Sequence, residues 1–552
     1  MNTRILLAFL SAALAVVGAL ATDIEGKRII KQPASAQDNS THSILRSIEL
    51  TDTATIVDYS FLHSPNYWCS IDSMELVGNV TGKKYPIKGT VGYTLRKRQY
   101  MPASCRYDFS IIFPAIDHQD TSVDMLDLEE DGSWTVLRKG IDLTGDGLKA
   151  KYVTHINGTY EGEGTFVGIF KSGSHLNRNQ KVTWVPVDNG KFSYDLRSDD
   201  LLVYDIVNGP NMFMGAWSSG RFFSENATID IAFTPEKDED YGMSEIEYHD
   251  ISVNAPGGSL TSSLQEHHKR MKEEYDNAAP VIEYKSLMDN KKFYTPEYYA
   301  LEEAYIAHPE QKDSLAKAVN DLFDRGVAKT PEGLLAEKEI KRYNTTERLQ
   351  SQCRDAVSMD NLAGLFAIVS ECFYADDTTP MVEAYLNSYR GKFPDSEYAA
   401  YMEAISNVNE IAPGNSFNDF TAPDAEGNVH RFSELIDGKP ALLDLWAVWC
   451  GPCRRTSMSM IPVYDEYASR GFTIIGVARV AKGDELPTDA IEKDGYKWIN
   501  LFDVDDANRI WALYRCQNAA GGTFLISPEG KIVKSGVTAE DVRAYLKTLY
   551  GD

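Results

Sequence analysis

The chain has 552 residues, 43% hydrophobic and 25% charged, with 81 acidic against 55 basic side chains and a formal net charge of −26. That length calls for several domains of about 100–200 residues each, and the hydrophobic fraction excludes long disorder. The acidic balance disfavours phosphate backbones and anionic lipid, so no nucleic-acid partner is expected.

The chain begins MNTRILLAFLSAALAVVGALATDIEG, with Arg4 ahead of an apolar run over 5–20 and a small-x-small site at Ala19-Leu20-Ala21. This pattern predicts a secretory signal peptide over 1–21, cleaved after Ala21. The run is short for a bilayer span of roughly 20 residues. No cysteine follows it to carry a lipid, and no later stretch is apolar enough to cross, so no membrane insertion is expected after cleavage. The implied location is periplasmic, with outer-membrane association or an extracellular site as variants. In such an oxidising compartment the seven cysteines are free to pair. Cys69 with Cys105 and Cys353 with Cys372 are candidate bridges, and Cys516 is read as a small buried apolar side chain.

Residues 22–42 are polar and read as a leader. From 43 to about 255, runs such as ATIVDYSFL, KVTWVPV and TIDIAF alternate with Gly, Asn and Asp, the texture of short strands. VDNGKFSYDL (187–196) sets a turn at Asn189-Gly190 between strand residues. Two β-sandwich-like domains are predicted, over 22–150 and 151–258. The acidic turns LEEDGS (128–133) and LTGDGL (143–148) miss the spacing of a calcium loop and are read as turns. After NAPGGS (254–259) glycine becomes scarce, and 259–410 is predicted to be a helical region. There DSLAKAVNDLFDRGVA and DNLAGLFAIVSECF carry apolar residues three and four apart. His267 and His268 are adjacent, point to different sides of a helix, and are read as solvated.

Pro413-Gly414 marks another boundary, and 411–552 alternates strand-like and helix-like runs, an α/β pattern. ALLDLWAV reads as a buried strand, and CRRTSMSMIPVYDEYASR as the helix after it. Cys450 then stands at the amino end of that helix, where unpaired N–H groups and the helix dipole favour a thiolate. Cys453 follows one turn later, within reach of a mixed disulfide, and Pro452 has no N–H to lose in a first turn. Zinc binding, a structural staple and redox exchange compete for such a pair. A zinc site needs two more ligands, and downstream only Cys516 is left, with His430 the sole histidine of the domain. Redox exchange best suits a Cys-x-x-Cys pair after a strand, with Trp446 and Trp449 beside it; no metal or cofactor is called for.

LLDLWAVWCGPCRR resembles the thioredoxin active-site segment, and APDAEGNVHRFSELIDGKPALLDLWAVWCGPC is similar to the exported TlpA/ResA-like thioredoxin family. The resemblance covers 411–552 and implies a thioredoxin fold, with Cys450 as nucleophile, Cys453 as resolving thiol and the pair as the redox-active disulfide. It makes Asp444 the buried acid that relays the proton of the resolving thiol. Trp449, Gly451, Pro452, Gly522 and Thr523 become the substrate-contact residues. In NAAGGTFLISPEGKIV, Gly522 occupies the place of the family's cis-proline. Glycine there serves either through its N–H or through a positive φ. Arg479, after the strand FTIIGVARV, is read as a surface arginine. The second β domain, with THINGTYEGEGTFVGIF and FSENATIDIAF, resembles the small β domain that precedes thioredoxin modules in Bacteroidetes-type multidomain proteins.

The expected activity is that of an exported thiol-disulfide oxidoreductase, a reductase or isomerase of protein disulfides, kept reduced by a membrane or periplasmic electron donor. Two rivals are a binding or scaffold protein whose β domains recognise an extracytoplasmic partner, and a thiol peroxidase. The latter normally sets a lone cysteine in a Pro-x-x-x-Thr-x-x-Cys context, which is absent here.

Overall fold

A computed structural model describes residues 22–24, 27–128, 132–162, 165–173, 181–213, 215, 218–236, 248–375, 377–481, 484–517 and 519–551. The expected signal peptide over 1–21 lies outside these residues, as do 129–131 of the LEEDGS turn. The chain divides into two compact units, one of residues 263–408 and one that joins 1–262 to 409–552.

In the joined unit, Ser43–Thr51, Ala54–Leu62 and Arg106–Pro114 belong to a six-stranded sheet, and Met74–Gly78, Ser122–Leu128 and Trp134–Asp142 to a five-stranded one. Strand alternation sends Ile48, Val57, Tyr59 and Ile111 of the first sheet and Leu76, Met125 and Ile141 of the second into one core. Two four-stranded sheets follow between Tyr152 and Asn254, around Ile156, Ile169, Ile206, Phe222 and Phe233. Asn189 and Gly190 both take positive φ, 53° and 71°, in the turn before Lys191–Ser198. The LTGDGL turn is closed by Asp142, whose carboxylate accepts the N–H groups of Thr144 and Gly147. Ser35–Asp38, beside Trp134–Asp142, and Thr183–Pro186, beside Phe166–Lys171, are among the strands that end their sheets.

The unit of residues 263–408 is helical. His267 corrects the solvated assignment, because it is only 2% exposed and its Nδ1 lies 2.7 Å from Asp355. Asp355 also accepts two bonds from Arg270, at 2.8 and 2.9 Å, so one half-buried carboxylate holds both the imidazole and the guanidinium. The two candidate bridges are also not formed: Cys69, Cys105, Cys353 and Cys372 are free thiols. Cys105 packs with Ile44, Leu62 and Phe166, while Cys69 lies against a different core cluster. Cys372 Sγ meets Met402 Sδ at 3.8 Å. Burial pushes the thiols of Cys69, Cys105 and Cys353 up to about 11.

The C-terminal stretch builds a five-stranded sheet from β1 (Ala441–Ala447), β2 (Thr473–Val480), β3 (Ile499–Val504), β4 (Gly522–Ile526) and β5 (Ile532–Ser535). Its order is β3-β2-β1-β4-β5, with β1, β2 and β3 parallel and β4 and β5 antiparallel to their neighbours. All seven residues of β1 are buried, as a central strand covered on both faces requires. Helix α1 (Gly451–Tyr467) packs Met460, Val463 and Tyr467 into one apolar cluster with Leu442, Trp446, Ile474 and Leu546. Phe420, Leu443, Leu445, Trp511 and Phe524 form a second. This arrangement is thioredoxin-like. Among the described residues no helix is long and apolar enough to cross a membrane.

Candidate active site

The site forms where β1 hands over to α1. Cys450 is the N-cap of α1, and its Sγ accepts the backbone N–H of Cys453 at 3.2 Å. Cys450 and Cys453 are joined by a disulfide, the one such bond among the described residues. Pro452 stands exposed in the first turn, where a missing N–H costs nothing. A cysteine in this position is built for exchange, because the orphan N–H groups and the dipole of a helix start stabilise a leaving or attacking thiolate.

Asp444 lies in the middle of β1, only 2% exposed, and pairs in register with Thr523 of β4. Burial raises its carboxyl to about 6, and a hydrogen bond from Ser457 pulls the other way. Ser457 Oγ lies 2.6 Å from Asp444 Oδ2 and 3.1 Å from the carbonyl oxygen of Cys453. A carboxyl poised near 6 can hold or give up a proton at neutral pH. Sequence reasoning missed Ser457; its place four residues after Cys453, on one helix face, is the signal that points to it.

Several contacts fix the frame. Arg454 grips Asp494 with two bonds of 2.7 Å and reaches the Val448 carbonyl at 3.3 Å, which ties the first turn of α1 to the loop before Cys450. Tyr496 donates to the same Asp494 at 3.1 Å and meets Trp446 edge-on, with ring centres 5.4 Å apart. Trp446 Nε1 donates to Asn500 at 3.2 Å, and Trp449 is half-buried beside the pair.

Gly522 opens β4 opposite Leu445 and does not take a positive φ, which removes that explanation for a glycine here. Thr523 accepts the Gly536 N–H on the far side, so alternation turns the Gly522 amide toward Leu445 and into the ladder. The tighter constraint is at Gly521, where an added Cβ would fall 2.0 Å from the Leu445 carbonyl oxygen. Thr523 is buried and its hydroxyl donates to the Val537 carbonyl at 3.0 Å. Arg479 corrects the surface assignment. It is 8% exposed, stacks 5.2 Å over Trp511, bonds Asp506 and reaches the Ala519 carbonyl at 3.4 Å. It therefore braces the loop that leads into Gly521, and the apolar plane of Trp511 covers its guanidinium. Cys516 is covered by apolar neighbours that push its thiol up to about 12. No cluster of His, Cys, Asp and Glu able to hold a metal occurs among the described residues.

The AhpC/TSA family profile matches residues 413–535. The chain is 28% identical over 160 residues to the thiol-disulfide oxidoreductase ResA of Geobacillus thermodenitrificans, covering 28% of this chain and 86% of that protein. It is 28% identical over 137 residues to ResA of Bacillus subtilis, covering 25% of this chain and 74% of that one. Among solved structures, the thioredoxin domain of a thiol-disulfide oxidoreductase from Bacteroides vulgatus is 27% identical. It covers 25% of this chain and 99% of its own, with a TM-score of 0.23. The C-terminal region is thus a thioredoxin-like domain with ResA/TlpA-like relatives.

Proposed function

We propose that this thioredoxin-like domain makes the chain a thiol-disulfide oxidoreductase that acts on disulfide-containing proteins through Cys450 and Cys453. The carrying observation is the disulfide between the N-cap cysteine of α1 and the residue one turn later, beside a buried carboxyl raised to about 6.

The Cys450 thiolate of the reduced protein attacks one sulfur of a substrate disulfide. A Cys450–substrate bond forms and the other substrate sulfur leaves as thiolate. Cys453 then loses its proton, with Asp444 as relay, and attacks Cys450 Sγ. The substrate is released as a dithiol, and two electrons have passed from the cysteine pair to it. Net reduction requires a donor of two electrons, in the membrane or the periplasm, to reopen Cys450–Cys453. In isomerisation the substrate's own thiol displaces Cys450 and the pair stays reduced.

The Gly-Pro dipeptide supports the reductase or isomerase direction, and the amino-terminal pattern supports export. A cysteine pair at a helix start favours disulfide exchange over peroxide reduction by a lone thiol. Insulin-disulfide reduction with dithiothreitol tests the function. Wild-type protein should accelerate it and Cys450→Ser should not; equal rates for both would overturn the proposal.

A further inference from the structure

Asp444 is sealed from water. It is 2% exposed, and among the described residues Ser457 is the one side chain that hydrogen-bonds its carboxylate. Ser457 is itself fully buried. A proton that Asp444 takes from Cys453 therefore has no direct way out, and the carboxyl must be emptied before the next turnover.

The surroundings of Ser457 supply a way. Asp444 and Trp446 stand two apart in β1 and so share one face of the sheet. Tyr496 covers that face. Its ring meets Trp446 edge-on at 5.4 Å and stacks on Trp498 at 5.2 Å. The Tyr496 hydroxyl lies among three polar groups. Ser457 is one hydrogen-bond partner, Asp494 is a second at 3.1 Å, and the Asp444 charge reaches the same oxygen. Burial keeps the phenol protonated well above its ordinary range, so at rest it is a hydroxyl and not a base.

Asp494 brings the row toward solvent. It ends the short helix Thr488–Asp494, beside the exposed residues Glu492, Lys493 and Gly495. Its side chain is 7% exposed and that of its partner Arg454 27%, against none for Ser457. The two bonds from Arg454 hold the Asp494 carboxyl below the usual carboxylate range. It is thus ionised at neutral pH, open to a proton and quick to lose one to water. Arg454 and Ser457 are three apart on α1, so one helix face anchors both ends of the row.

We infer that Ser457, Tyr496 and Asp494 form the proton exit of the resolving step, with Tyr496 as the positioning residue at its centre. The inference rests on the function proposed above and deepens it. While Asp444 is ionised, the Ser457 hydroxyl donates to it across 2.6 Å. Once Asp444 holds the Cys453 proton, the donation reverses. Asp444 gives that proton to Ser457 Oγ, Ser457 passes its own to Tyr496 Oη, and Tyr496 passes its own to Asp494, where water takes it. Each hydroxyl ends with the one proton it began with, and Asp444 is a carboxylate again.

The test is a single turnover of the reduced full-length protein with 5,5′-dithiobis(2-nitrobenzoate), in weak buffer with an indicator dye. Attack by Cys450 releases a first thionitrobenzoate. Closure of Cys450–Cys453 releases a second, as a thiolate, so the Cys453 proton must reach the solvent. In the wild type the dye should change in step with the second thionitrobenzoate. Tyr496→Phe keeps the ring and removes the hydroxyl. There the proton should lag, its release slowed by roughly a hundredfold, the scale of one positioned proton-transfer group. Asp494→Asn keeps the shape of the side chain and should lag too. Tyr464→Phe removes a hydroxyl from the same aromatic cluster, outside the row, and should not. A proton that keeps pace in Tyr496→Phe or Asp494→Asn would overturn the exit and leave the oxidoreductase function standing. An equal lag in Tyr464→Phe would assign the effect to packing and overturn the exit as well. A wild type that releases no second thionitrobenzoate would overturn the function, and the exit with it.

Discussion

Ser457 holds Asp444 by a hydroxyl bond of 2.6 Å, from a position one helical turn beyond Cys453. The bond stabilises the ionised carboxylate, so it lowers a carboxyl that burial raises to about 6. Ser457→Ala should raise Asp444 further, by about one pKa unit or more, the scale of a hydrogen bond to a charged group. The pH profile of the resolving step should move to higher pH by that amount, while the first attack by Cys450 keeps its profile. Rapid-mixing kinetics from pH 5 to 9 would read both steps. A resolving step with an unmoved profile would deny Ser457 this influence.

Asp444 also costs stability in its ionised form. Its folded pKa of about 6 lies above the ordinary carboxyl value, so the folded state binds the proton more tightly than the unfolded state. The cost is complete above pH 6 and disappears as pH falls toward 4. Asp444→Asn should therefore stabilise the protein at pH 8 by up to roughly 3 kcal/mol, with the gain fading by pH 4. The same substitution should slow release of reduced substrate. Denaturant unfolding at several pH values would check the first claim; a gain that grew on acidification would contradict it.

Only one thiol should react quickly in the reduced protein. The other environments hold Cys69, Cys105 and Cys353 near 11 and Cys516 near 12, where almost no thiolate exists at pH 7. Iodoacetamide at neutral pH should label Cys450 first, as mass spectrometry of peptides would show. Cys453→Ser should trap mixed disulfides with substrate, and Cys450→Ser should trap none. Equal trapping by the two variants would contradict the order of attack.

The two glycines where β4 begins should respond differently to alanine. A Cβ at Gly521 meets the Leu445 carbonyl oxygen at 2.0 Å, backbone that cannot step aside. At Gly522 the nearest atoms are the Phe524 ring at 3.2 Å and Cys516 Sγ at 3.9 Å, which can shift. Gly521→Ala should cost about 1–3 kcal/mol or more, and Gly522→Ala less than about 1 kcal/mol. Thermal unfolding of the two variants would test this, and equal losses would refute the steric account.

The export proposed above predicts a mature form that begins at Thr22. Intact mass of protein recovered from the cell envelope would show it, and a retained apolar segment over 1–21 would contradict cleavage.

The redox motif was legible because its chemistry is local. Cys450, Gly451, Pro452 and Cys453 are consecutive, and Asp444 stands within a strand whose neighbours are all apolar. What was not legible depends on partners far away in sequence. Arg479 and His267 belong to residue types that are usually solvated. They are buried because Asp506 with Trp511, and Asp355 with Arg270, are folded against them. The candidate bridges Cys69–Cys105 and Cys353–Cys372 were inferred from cysteine count and compartment, whereas pairing depends on which apolar cluster each side chain enters.

The joined unit also bears on the order in which the molecule can be made. Its two parts, 1–262 and 409–552, are separated by the whole helical unit, so an emerging chain must carry its amino-terminal sheets through 146 further residues before their partner exists. Contacts of such long sequence separation form slowly, and domains generally fold in order of synthesis. Four of the five free cysteines, Cys69, Cys105, Cys353 and Cys372, precede the redox pair in the chain. In a chain that folds in this order, each is enclosed in its own segment before the redox pair can fold, which leaves few accessible thiols for that pair to cross-link.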